Sequence, residues 1–136
     1  MIYFRTNRQA RLDLTNAQLI ALNSAPQVLA PRPGANRMLF FRAGTLLWES
    51  SFGSYGNFGE GGFEVRLGPD LVVGQAGLPG QGAKLHNILP VELSADRSEL
   101  VNLPLMLKLA NSSGDLTGGT VADYLKVTVF YDLVRL

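Results

Sequence analysis

Apolar side chains in this chain recur at every second position, in short runs punctuated by glycine and proline. Leu103-Pro104-Leu105-Met106-Leu107-Lys108-Leu109 sets four leucines on one side of an extended backbone. Phe63-Glu64-Val65-Arg66-Leu67 alternates as cleanly, with Phe63, Val65 and Leu67 toward a core and Glu64 and Arg66 toward water. The closing segment, Val121 to Val134, puts Leu125, Val127, Val129, Tyr131 and Leu133 on one face and Lys126, Thr128 and Asp132 on the other. Successive side chains of a strand point to opposite faces, so a two-residue period marks half-buried strands.

Shorter segments fit the same reading. Ile2 to Arg5 and Leu12-Asp13-Leu14 are strand-like. Gln27 to Ala30, with Pro26 and Pro31 at its ends, suits an edge strand, because proline cannot donate to a ladder. Leu71-Val72-Val73 is a further short strand, and Ile88 to Leu93 is expected to turn Leu89, Val91 and Leu93 inward. Met38 to Trp48 is apolar in both alternating sets, which predicts cover on both faces, with Gly44 as a bend or bulge. Pro33-Gly34 fits the centre of a type II turn. The single expected helix covers Ala17 to Leu22, where Thr15 and Gln18 have capping-box spacing.

Glycine supplies 15 of the 136 residues and gathers in loops at 53–62, 74–82 and 114–119, with Asn111 to Thr120 as an open polar loop. About eight strands at this spacing predict an all-β, antiparallel, jelly-roll-like β-sandwich with one short N-terminal helix. A parallel sheet would need crossover helices that the pattern lacks. The expected organisation is one domain over 1–136, with 1–11 as an N-terminal arm.

The chemistry available is narrow. There is no cysteine, which removes disulfides, thiolate metal sites and a cysteine nucleophile. His86 is the only histidine and is expected in a loop. The serines at 50, 51 and 54 lie outside a Gly-x-Ser-x-Gly elbow, and no carboxylate pair or calcium-loop spacing stands out. The glycines at 53–62 precede a strand rather than a helix and have no lysine nearby, unlike a phosphate-binding loop. No enzymatic activity, cofactor, metal or small-molecule substrate is expected. Residues 1–42 hold six arginines and one acid, while the chain as a whole carries +1. Such asymmetry suits an acidic partner, but nucleic acid would call for denser basic clusters. The apolar runs are too short to span a membrane, and the N-terminus lacks the apolar stretch of a secretory signal.

Aromatic residues concentrate between positions 40 and 63. Phe40, Trp48, Phe52, Tyr55 and Phe58 are the candidates for a subunit interface, since aromatics anchor interface centres.

The run Leu12-Asp13-Leu14-Thr15-Asn16-Ala17-Gln18-Leu19-Ile20, then Leu22-Asn23-Ser24-Ala25-Pro26 and Val28-Leu29-Ala30-Pro31-Arg32-Pro33-Gly34-Ala35, resembles the N-terminal part of small virion proteins of tailed bacteriophages. Tyr55-Gly56, Asn87 and the segment Leu105 to Gly119 continue the likeness, with Arg32 where a small residue is expected. The resemblance implies a capsid decoration, or cement, protein: a β-sandwich that forms a homotrimer on the outer capsid surface and stabilises the shell. On that reading the partners are its own copies and the major capsid protein, and its place is the virion. Met38 to Trp48 would then supply the trimer face, and Tyr3, Arg5, Arg8 and Arg11 the capsid contact. The alternative is a receptor- or carbohydrate-binding virion module at a fibre or tail tip, stacking sugars on Trp48, Tyr55 or Phe58.

Overall fold

The computed structural model describes residues 7–49, 55–57, 59–77, 84–118 and 124–136. The strands are β1 (Asn7–Leu14), β2 (Gln27–Ala30), β3 (Arg37–Glu49), β4 (Tyr55–Gly56), β5 (Gly61–Leu67), β6 (Leu71–Gly77), β7 (Lys84–Pro90), β8 (Leu105–Asn111), β9 (Thr117–Gly118) and β10 (Tyr124–Arg135). The helix α1 (Asn16–Ile20) runs into a 3-10 turn over Ala21–Asn23.

All pairings are antiparallel, and eight strands form one sheet in the order β1-β10-β3-β7-β6-β5-β8-β2. The pairs nest: β1 with β10, β2 with β8, β3 with β7 and β5 with β6. This is one long hairpin rolled up on itself, the jelly-roll connectivity of two four-stranded layers. The layers β1-β10-β3-β7 and β6-β5-β8-β2 join along a short seam, Gly74 opposite Pro90 and Gln75 opposite Leu89.

Alternation supplies the core. Leu105, Leu107 and Leu109 of β8, Phe63, Val65 and Leu67 of β5, and Leu125, Val127 and Val129 of β10 are all buried between the layers. Trp48 of β3 meets Phe63 of β5 edge to face, ring centroids 5.7 Å apart. Thr15 and Gln18 make the expected capping box at the start of α1, and Leu19 and Leu22 are buried from that helical segment.

Several expectations are corrected. The apolar strand Met38–Trp48 is covered on both faces only at its start, where the consecutive Met38 and Leu39 are both buried, while Phe40 is exposed. A bulge at Arg42 sets Phe41 opposite Tyr131 but Ala43 opposite Phe130. One extra residue exchanges the faces, so Leu39 and Phe41 before it and Leu46 and Trp48 after it all turn into the same core. Strand β7 begins four residues before Ile88: Ile88 points inward and Leu89 is 64% exposed, while Val91 and Leu93 lie past the strand end, Leu93 packed against the core as expected. Gly74 to Gly77 belong to β6, not to a loop.

The turn before β3 closes from Gly34 O to Arg37 N and centres on Ala35-Asn36, with Asn36 at φ +59°. Asn111 is a buried member of β8. Asp132, expected in water, is fully buried beside the Arg42 guanidinium, Nη1 to Oδ1 3.7 Å. Residues 7–11 are hydrogen-bonded along β10, so the segment expected as an arm is an edge strand from Asn7 onward. The strand expected at Ile2 to Arg5 lies outside the described residues.

Candidate interaction faces

The outer face of the layer β1-β10-β3-β7 follows from register. With Leu125, Val127 and Val129 inward, Lys126, Thr128 and Phe130 point out. Their partners across β3 are Leu47, Thr45 and Ala43. Across β7 the rows continue to Leu85 beside Leu47 and Asn87 beside Thr45. Across β1 they continue to Asp13, Arg11 and Gln9. Beyond the bulge Phe40 joins this face, opposite Asp132.

Of the large hydrophobics exposed among the described residues, Phe40, Leu85, Leu89 and Phe130 lie on this face, and Val28 lies on the other layer. Leu85 is 70% exposed and Phe130 44%. The surface between them is small and uncharged: Ala43, Thr45, Asn87 and Thr128. Exposed large apolar side chains gathered on one sheet face make it a candidate interaction surface.

The other layer carries a different outer face. Arg66 of β5 is held by Glu64, with Nε 3.0 Å and Nη2 2.6 Å from the same carboxylate oxygen, and its Nη1 donates to Pro69 O at 2.8 Å. Lys108 and Met106 of β8 stand opposite Glu64 and Arg66. A surface pocket of about 310 Å³ opens here among Pro26, Pro69, Pro104 and Met106.

Of the residues expected at a subunit interface, Phe40 is exposed on the first face. Trp48 is not available: at 1% exposure its ring belongs to the core, so it reaches neither a second subunit nor a sugar. Phe52 and Phe58 lie outside the described residues, as does the side chain of Tyr55. Arg8 and Arg11 are exposed on β1, and Tyr3 and Arg5 lie outside the described residues. Leu85, Leu89 and Phe130 were not singled out from sequence. Phe130 had a signal, since it falls in the outward set of β10 between Thr128 and Asp132.

His86 lies in β7 rather than a loop, half-buried opposite Leu46. Among the described residues no three His, Asp or Glu side chains come together in a metal-ligating group, and no helix is long and apolar enough to cross a membrane.

No protein-family model matches the chain, and no curated protein matches it. Among solved structures, a chain in a structure of infectious bursal disease virus, Gx strain, aligns at 9% identity with a TM-score of 0.24 over 98% of this chain. The alignment spans 38% of that viral chain, and a likeness this slight carries no argument.

Proposed function

We propose that this chain is a structural virion protein of the capsid decoration type, a homotrimer that binds the major capsid protein on the outside of the shell and stabilises it. The observation that carries the proposal is the outward apolar face of β1-β10-β3-β7, with Phe40, Leu85, Leu89 and Phe130 exposed on a rigid jelly roll. Four exposed large apolar side chains on one sheet face suit contact between identical copies, as obligate interfaces resemble a core cut in half. The resemblance in Leu12–Ala35 and Leu105–Gly119 supplies the virion class. Arg8, exposed on the edge strand β1, is the described basic residue that would meet capsid carboxylates, while Arg11 shares the outward rows of the proposed contact between copies.

The test is uptake by shells assembled without this protein. Purified chain added to such shells should co-sediment with them and raise their melting temperature. Light scattering should give three 14.7 kDa chains per particle in free solution. A monomer at micromolar concentration that leaves the shells unchanged would overturn the proposal.

A further inference from the structure

The face away from the proposed trimer contact carries a pocket with its own chemistry. Its apolar lining is stiff: Pro26, Pro69 and Pro104 cannot rearrange freely, and the half-buried Met106 lines it with them. Its lining also carries three cations, Arg32, Arg66 and Lys108. Glu64 neutralises Arg66 through the 2.6 Å ion pair and locks it in place. The remaining two make no ion pair with a described residue, although Lys108 stands opposite Glu64 across the β5–β8 pair. Arg32 Nη1 donates to a backbone oxygen, Asn102 O at 3.0 Å, which positions the guanidinium without cancelling its charge. Lys108 is half-buried and makes no ion pair with any described residue.

Cations beside an apolar lining complement one chemistry: a carboxylate beside a bulky apolar side chain. A volume of about 310 Å³ holds one such side chain and not a larger cofactor. Leu136 is not that occupant. It is engaged elsewhere, its N–H on Asn36 O at 2.8 Å and its oxygen receiving Arg97 Nη2 at 3.1 Å.

We infer that this pocket receives an acidic, apolar segment of the protein on which the chain sits. On the decoration reading, on which the identity of that partner rests, it is a segment of the major capsid protein. The cations Arg32 and Lys108 pair with its carboxylate, and the proline lining takes the neighbouring side chain. Fixed walls reduce the ordering cost of binding, and the charge pairing sets specificity and salt dependence.

Two arms test this. In the first, the methyl resonance of Met106 is followed while the full chain is titrated with the capped peptide acetyl-Leu-Asp-Leu-Phe-amide, its Asn twin, or octanoate. The Asp peptide should shift Met106 and bind roughly tenfold more tightly than the Asn twin, and the R32Q/K108Q double variant should lose that preference. No shift, equal binding of the twin, or tighter binding of octanoate than of the peptide would overturn the inference. In the second arm, the double variant and the unaltered chain compete for empty shells. Equal uptake of both overturns the pocket assignment and leaves the decoration reading standing. Peptide binding without uptake of either chain supports the pocket and overturns the decoration reading.

Discussion

The Phe41 ring occupies the space that a side chain at Gly74 would need: a β-carbon built there lies 2.6 Å from Phe41 Cε2. Gly74 sits on the seam between the layers, opposite Pro90, and β6 shifts register beside it, pairing Gly74 with Val65 but Val72 with Arg66. The close approach of β3 to β6 therefore depends on a missing side chain. Gly74→Ala should destabilise the fold by about 1–3 kcal/mol through overpacking. Adding Phe41→Leu should recover part of that loss, because the two sites share one space. Urea unfolding of the single and double variants measures both, and additive losses would contradict the shared-space account.

Asn111 ties the loop ends together. Its side-chain oxygen accepts from Gly59 N at 2.7 Å, and its Nδ2 donates to Asn57 O at 2.9 Å and Gly114 O at 2.8 Å. Its own backbone N–H donates to Asn23 Oδ1 at 3.1 Å, linking the helical segment to β8. Asn111→Ala strips three partners at a buried site and should cost about 1–3 kcal/mol. The Gly59 amide should then exchange with solvent faster than the amides of β5. Unchanged protection at Gly59 would show that the loop does not depend on this side chain.

The layers themselves were legible because alternation is local: Phe63–Leu67 and Leu103–Leu109 declare an inner and an outer face without reference to any partner. The capping box at Thr15 and Gln18 was legible for the same reason. Met38–Trp48 misled because a bulge is a property of two strands. Only the pairing of β3 with β10 reveals that Arg42 is extra and that Leu39 and Phe41 of one set face the same core as Leu46 and Trp48 of the other. Strand phase also hid which apolar residues are exposed. Trp48 looked available until its contact with Phe63 placed it inside, and Leu89 looked inward until the start of β7 at Lys84 set its phase. The cations Arg32, Arg66 and Lys108 are far apart in sequence and meet only through the β5–β8 register and the turn after β2.

The helix start offers a calibration of local terms. Gln18 N donates to Thr15 Oγ1 at 3.4 Å, and Thr15 N donates to Gln18 Oε1 at 3.0 Å. Thr15→Ala should cost about 1 kcal/mol, and Thr15→Ser should cost little, since the hydroxyl is kept. Thermal melts of the two variants separate the cap from the methyl group. Equal losses would assign the effect to packing.

The outward face makes the sharpest claim on assembly. Phe130 and Leu89 are 44% and 64% exposed, so replacing them with lysine costs the isolated fold little, within about 0.5 kcal/mol. In a trimer that buries them, the same lysines would be desolvated against an apolar face. An anchor residue of an interface is worth about 2 kcal/mol or more, so each substitution should weaken association roughly thirtyfold. Val28, 51% exposed on the opposite layer, provides the matched control, because Val28→Lys removes exposed apolar surface outside the proposed contact. Light scattering across a dilution series should show Phe130→Lys and Leu89→Lys dissociating to single chains at concentrations where Val28→Lys and the unaltered protein remain trimeric. If all three variants stay associated, the contact between copies lies elsewhere. If Val28→Lys alone dissociates, the contact is on the β6-β5-β8-β2 layer, and the two faces must exchange roles.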